Sequence, residues 1–339
     1  MAGEGVRLEW LNAAIKSKWR AFLCENGLTY EGDAERCIVA RDGETIIATA
    51  SLDGDIVKYV AVDPLYRVSG VAAKVISTLL EDAAMRGKRH LFLFTSSDKA
   101  ETFENLGFSR ILDYEHVALM EWGFSKIGSY AKALEKHRAP GSNGAIIMNL
   151  NPFTVGHRYL IEQAAKRVDR LHVFLVKEDK SLFPYKARLY MAQEGTKDIP
   201  NIFLHPGSEY VLSHITFPSY FIKEVGARSR WQAGLDISVF REYIVPALTI
   251  KKRFVGCEPF DKATEAYNQK MKELLEPCGC EIVEFDRYKS GSEYVSASRV
   301  RERLRQGEIP RELLPETTVR FLLSDEGQRI IGRLMKNGN

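Results

Sequence analysis

Asn151-Pro152-Phe153-Thr154-Val155-Gly156-His157 decides the reading of this chain. The stretch ahead of it, Ala145-Ile146-Ile147-Met148-Asn149-Leu150, reads as a buried strand. Behind it Leu160, Ile161, Ala164, Ala165 and Val168 recur at helical spacing, which predicts a helix over His157–Val168. Leu171–Val176 then reads as a second, parallel strand. Strand, tight turn, helix and strand form a βαβ unit. Its turn falls at the carboxyl end of a strand, where open parallel sheets bind ligands. Gly156 lacks a Cβ and permits close approach. His157 lies in the first helical turn, beside unpaired N–H groups and the positive end of the helix dipole, where phosphate is favoured. An imidazole there donates to a phosphate oxygen as charge builds up in a transition state. Thr154 offers a hydroxyl to the same anion.

An isolated T-x-G-H is equally explained by a turn and a capping histidine, so the reading needs a second anion clamp downstream. Ser296-Ala297-Ser298-Arg299-Val300-Arg301 has that chemistry. Val300 and Leu304 begin a helix that Gly307 ends. Arg299, Arg301, Arg303 and Arg305 crowd it, on the wrong side of the dipole. No Glu or Gln follows Ser296 or Ser298 by three residues, so no capping box forms. A triphosphate resolves the conflict, held by serine hydroxyls, backbone N–H groups and an arginine fork.

At 339 residues the chain is long enough for two domains. Apolar content of 45% and charged content of 27% are ordinary for a globular protein. A net charge of +3 is too small to argue for nucleic acid. The five cysteines lack metal-ligand spacing, so free thiols are expected. No signal peptide and no run long enough to span a membrane is read, so a cytoplasmic protein is expected.

The first block also alternates strand and helix. Thr45–Ala50 and Ile56–Val62 read as strands joined at Asp53-Gly54-Asp55, and Leu91–Thr95 as another. Val71–Met85 reads as a helix, and Gly107 as the cap of a shorter one. Ser125–Asn143 reads as a partly helical linker ending in Ala139-Pro140-Gly141-Ser142-Asn143. Lys252–Gly256 and Glu281–Phe285 add later strands. The expected fold class is α/β: an α/β domain over 1–125, a helical linker over 126–143, and a Rossmann-like open parallel sheet over 144–339.

The two phosphate motifs resemble those of the nucleotidylyltransferase superfamily. More narrowly, Asn151–Ile161 (NPFTVGHRYLI), Asp179–Pro184 (DKSLFP), Thr216–Phe221 (TFPSYF), Val255–Phe260 (VGCEPF) and Ser296–Arg301 (SASRVR) resemble citrate lyase ligase. The resemblance implies that His157 and Thr154 contact the ATP phosphates and that Ser298 and Arg301 bind the pyrophosphate portion. It implies that Phe153, Gly156, Arg188, Gly256 and Ser296 complete the nucleotide site. Thr154 stands where many relatives have histidine, and Cys257 sits beside the expected adenine-binding loop. In the first block, Arg67-x-x-Gly70-x-Ala72 after Val62 resembles the pyrophosphate loop of the GCN5-related acetyltransferase family. That likeness implies a CoA-like arm held at Val62, Arg67, Gly70 and Ala72.

The implied activity is ATP-dependent activation of acetate as acetyl-adenylate, with Mg2+, followed by acetylation of the prosthetic-group thiol on the citrate lyase acyl carrier protein. Two other readings stay open: an adenylyltransferase acting on a phosphorylated small molecule such as a pantetheine or nicotinamide precursor, and an acyl-CoA-dependent acetyltransferase or regulatory module. His214–Tyr220 is a candidate for the acetate side, and Glu258 and Asp261 for positioning metal-bound water. The expected partners include no nucleic acid and no membrane.

Overall fold

A computed structural model of the chain describes residues 5–124, 126–177, 181–211, 227–257, 262–291 and 293–336. His214–Tyr220, Glu258 and Asp261 lie outside the described residues. Contacts group residues 1–130 with 214–238 into one unit, and 131–213 with 239–339 into another.

The first unit carries β1 (Arg7–Trp10), α1 (Lys16–Glu25), β2 (Arg36–Asp42), β3 (Thr45–Asp53), β4 (Ile56–Val62), α2 (Val71–Met85), β5 (His90–Ser96), α3 (Ala100–Glu104), β6 (Ser109–Tyr114) and β7 (Val117–Gly123). Its sheet runs β1-β2-β3-β4-β5-β7-β6. Every pairing is antiparallel except β4 with β5, which are joined through α2. These two strands pair only at Ile56↔Phe92 and Val57↔Leu93, so they part beyond that point. The α2 helix matches its predicted span. It buries Val71, Val75, Ile76, Leu79, Leu80 and Ala83, whose three- and four-residue spacing makes one apolar stripe. A second cluster forms where α1 places Trp19, Phe22 and Leu23. The Trp19 indole also donates to Thr49 Oγ1 at 2.9 Å. The helix α4 (Ile127–Glu135) follows, with Glu121 Oε1 accepting the Ile127 N–H at 3.1 Å.

The remaining elements are β8 (Asn143–Met148), α5 (Val155–Ala165), β9 (Arg170–Leu175), α6 (Tyr185–Thr196), β10 (Ile202–His205), α7 (Ala227–Val239), a π-helical turn at Phe240–Ile244, α8 (Val245–Leu248), β11 (Ile250–Gly256), α9 (Lys262–Leu275), β12 (Glu281–Phe285), the short strands β13 (Lys289–Ser290) and β14 (Glu293–Tyr294), α10 (Ala297–Arg305), α11 (Glu316–Leu323) and α12 (Asp325–Lys336). The second sheet is wholly parallel in the order β10-β9-β8-β11-β12. The order runs outward from β8 to β10, then returns to the other side of β8 with β11. The switch point therefore lies between β8 and β11, and ligands bind such sheets at the strand ends there. The first strand starts two residues earlier than predicted. Asn143 belongs to it rather than to the linker, because its buried carboxamide donates to Ala139 O at 2.8 Å and Thr249 Oγ1 at 3.1 Å.

Of the first unit's two sequence-distant parts, α7 lies against the β6–β7 turn. Trp231 Nε1 donates to Glu115 Oε2 at 2.5 Å, and Gly234 lies so close to Tyr114 that an added Cβ would meet the ring at 2.0 Å. In the second unit, His172 Nδ1 and His205 Nε2 lie 2.9 Å apart in the β9–β10 layer. The His205 ring stacks on Phe174 at 4.3 Å. All five cysteines are free. Among the described residues no helix is long and apolar enough to cross a membrane.

Candidate nucleotide site

The turn after β8 begins at Leu150, whose φ of 55° is left-handed and uncommon for any non-glycine residue. Burial of its side chain, 1% exposed, holds the conformation. The Asn151–Pro152 peptide is cis. Thr154 then caps α5, which starts at Val155 rather than at His157. The cap is reciprocal. Thr154 Oγ1 accepts the His157 N–H at 3.3 Å, and the Thr154 N–H donates to His157 Nδ1 at 3.1 Å. Histidine thus takes the place that Glu or Gln fills in the usual capping box.

That geometry fixes the imidazole. Nδ1 accepts a backbone N–H, so it carries no proton, and the neutral ring bears its hydrogen on Nε2. Burial pushes the His157 pKa down to about 4, with the charge of Arg287 adding to the effect. Nε2 has no hydrogen-bond partner among the described residues. Near neutral pH, His157 is therefore an oriented donor. Thr154 is 2% exposed and its hydroxyl lies 3.0 Å from Nδ1, so it orients the ring from behind.

The second motif docks on the first. An added Cβ at Gly156 would lie 3.4 Å from the Val295 side chain, the residue just before Ser296. Ser296 caps α10, accepting the Arg299 N–H at 3.3 Å and lying 3.1 Å from Ser298 Oγ. Val300 and Leu304 are fully buried and anchor the helix. Arg301 Nη1 donates to the carbonyl of Asn151 at 2.6 Å, joining the two motifs directly. Burial, and then Arg305, lower the proton affinity of the Arg301 guanidinium. The first turn of α10 holds no acidic side chain. Arg303 does not belong to this cation group, because it pairs with Glu308 and Glu312.

Other expected site residues occupy different places. Phe153 is wholly buried. Its ring fills the hollow left by Gly195, where an added Cβ would meet Phe153 Cε1 at 2.3 Å. The side chain belongs to the core, and only the backbone borders the turn; its carbonyl accepts Thr318 Oγ1 at 3.1 Å. Arg188 is 0% exposed. It donates to the carbonyls of Phe183, Asn149 and Val176 at 3.0, 2.8 and 2.8 Å, and to Asn149 Oδ1 at 2.9 Å. It ties together the loops leaving β8 and β9 from within. Gly256 ends β11 opposite Phe285, 3.8 Å (from an added Cβ) from Leu160. Asn151, whose carbonyl accepts from Arg301, also accepts the Phe183 N–H on Oδ1 at 3.1 Å.

In the first unit, Val62 ends β4 and Arg67 is exposed in the loop before α2. Gly70 adopts φ 75° with open space beside it, and the neighbouring Ser69 Oγ accepts the Val71 N–H at 3.4 Å at the start of α2. Ala72 sits within that turn.

The citrate lyase ligase C-terminal domain model matches residues 143–322, and the acetyltransferase (GNAT) family model matches residues 8–108. The chain is 41% identical to the citrate (pro-3S)-lyase ligase of Escherichia coli over 89% of this chain and 88% of that protein. It is 41% identical to the corresponding ligase of Klebsiella pneumoniae over 89% and 91% of the two chains. The Haemophilus influenzae ligase is 37% identical over 89% and 93%. Both motifs lie inside the matched region, and the likeness extends over nearly the whole length of each relative. The chain belongs to the citrate lyase ligase family.

Proposed function

We propose that this ligase activates acetate with ATP and passes the acetyl group to the prosthetic-group thiol of the citrate lyase acyl carrier protein. An acetate oxygen attacks the α-phosphorus of Mg·ATP, forming the acyl–phosphate bond as the α–β bond breaks and pyrophosphate leaves. The thiol sulfur then attacks the acyl carbon; the carbon–oxygen bond to AMP breaks, and the thiol proton goes to solvent or a base.

Acetate is ionised near neutral pH, so the first step needs no general base. It needs alignment and neutralisation of the charge that builds on the pyrophosphate. His157 supplies a neutral Nε2–H donor, Ser296 and Ser298 supply hydroxyls, and Arg301 supplies a fixed positive charge. Thr154 and Arg188 act as positioning residues, one through the His157 ring and the other through the loops after β8 and β9. Mg2+ accompanies the nucleotide as part of the substrate. The observation that carries this reading is the hydrogen bond from Arg301 to Asn151, which holds the downstream cation at the His157 turn. The loop Arg67–Ala72 is a fit for the CoA-like arm of the carrier. Its left-handed Gly70, with open space beside it, lets a pyrophosphate approach the start of α2, where, among the described residues, only the Val71 N–H has a side-chain acceptor, at a long 3.4 Å from Ser69 Oγ.

The test is ATP–pyrophosphate exchange with and without acetate, on wild type and His157→Ala. The expected outcome is acetate-dependent exchange that falls roughly 100- to 1,000-fold in the variant, the effect of losing one oriented donor. Exchange that ignores acetate, in protein that binds ATP, would overturn the reading.

A further inference from the structure

Asn149 is the first residue past β8, at the carboxyl end of the strand that leads into the His157 turn. Its side chain is exposed, yet its carboxamide has a fixed orientation. Oδ1 accepts from Arg188 Nη1 at 2.9 Å and from Ser181 Oγ at 3.3 Å. The same Nη1 donates to the Asn149 and Val176 carbonyls, both at 2.8 Å, and Arg188 Nε donates to Phe183 O at 3.0 Å. Arg188 is 0% exposed, so the anchor is itself locked in place. A guanidinium only donates, so the amide atom facing it is the oxygen. The amide nitrogen is thereby turned away from the buried arginine. Among the described residues Nδ2 has no hydrogen-bond partner, and a carboxamide nitrogen carries two N–H donors.

The segments that meet here come from strands on opposite sides of β8. Ser181 and Arg188 follow β9, whereas Ser296 and Arg301 follow β12. The phosphate motifs therefore supply none of the anchors of the Asn149 amide. In-line displacement at the α-phosphorus needs the attacking oxygen held opposite the departing pyrophosphate, by a group other than the pyrophosphate clamp. A neutral donor suits that task, because it orients a carboxylate without quenching its charge as a lysine or arginine would. We propose that Asn149 binds acetate, its Nδ2–H donating to one carboxylate oxygen while the other faces the α-phosphorus, and that Arg188 and Ser181 position it. This assignment rests on the acetate reading above and extends it to a residue outside both sequence motifs.

The test measures the acetate KM in ATP–pyrophosphate exchange, and the dissociation constant of Mg·ATP, for wild type, Asn149→Ala and Asn149→Asp, with the melting temperature of each as a folding check. Aspartate keeps an acceptor for Arg188 and Ser181 but has no N–H to offer, so it separates holding the loops from holding acetate. Loss of a hydrogen bond to a charged group should raise the acetate KM about 10- to 100-fold in both variants, well beyond any change in the Mg·ATP constant. A wild-type acetate KM in folded Asn149→Asp would overturn the assignment, since the bond to Arg188 would then account for the residue. A Mg·ATP constant that rises as much as the acetate KM would overturn it too, and would make Asn149 a nucleotide ligand instead. Should the alanine variant fail to fold, aspartate decides by the same two readouts. A wild type that binds ATP and exchanges without acetate would remove the acetate reading beneath, a result distinct from either of these.

Discussion

Arg301 Nη1 and the carbonyl oxygen of Asn151 are hydrogen-bonded at 2.6 Å although 150 positions separate them in the chain. One end of the bond sits at the carboxyl end of β8, the other on α10, so the bond sets the spacing between the two phosphate motifs. Replacing Arg301 should act on both. Arg301→Ala is expected to lower acetate-dependent exchange by about 10- to 100-fold, the loss of a charged hydrogen bond. Arg301→Lys should recover only part, because lysine lacks the fork. Equal exchange in all three proteins would remove Arg301 from the site.

Gly156 separates two explanations of its own smallness. An alanine Cβ there makes an ordinary contact at 3.4 Å with Val295, so Gly156→Ala should fold at least as stably as wild type. Gly156→Val should push Val295 and the start of α10 away, and exchange should collapse while the circular dichroism stays native. If alanine already abolishes exchange in folded protein, the ligand and not Val295 occupies that space.

Acid should destabilise the protein in a defined window. Burial first, then nearby charges, pushes His157 and His172 down to about 4 and His205 to about 3. In the unfolded chain the same rings titrate near 6.5. As pH falls below that value the unfolded state takes up protons that the native state refuses, so stability drains away towards pH 4 and is fully present above 6.5. Urea unfolding midpoints between about pH 7 and about pH 5 should decline accordingly. A His172 ring that titrates near its unfolded value in the native protein would contradict the burial argument.

Gly70 allows the loop before α2 to be tested apart from adenylation. Its φ of 75° strains any side chain, so Gly70→Asn, which tolerates that conformation best, is the control for Gly70→Glu. Glutamate should raise the KM for the carrier well above the asparagine value and leave acetate-dependent ATP–pyrophosphate exchange unchanged. Loss of exchange in a folded glutamate variant would count against arm binding at this loop.

Periodicity made much of the fold legible. The α2 stripe from Val71 to Ala83 and the β8–α5–β9 unit follow directly from apolar spacing, and β12 matches its predicted bounds. The candidate site was legible where the proposed chemistry is local: Thr154, Gly156 and His157 share one turn, and Ser296 to Arg301 share another. What the sequence hid is long-range. Nothing near Phe153 announces that Gly195 leaves room for its ring, so an aromatic in a binding motif looked like a ligand contact. The bonds that Arg188 makes to the loops after β8 and β9 leave no local signature in the sequence either. The capping box was hidden by its chemistry, since histidine fills the position usually held by Glu or Gln.

The contact of Trp231 with Glu115, and of Gly234 with Tyr114, has a practical meaning for anyone who wishes to take the protein apart. A fragment ending near residue 125 keeps the whole first sheet but lacks the helix that covers its β6–β7 turn, and it leaves the Tyr114 ring bare to water. The complementary fragment carries α7 without its seat. Proteolysis should therefore nick this chain without releasing two healthy halves, and swapping either half between relatives will succeed best when residues 227–238 travel with the amino-terminal portion.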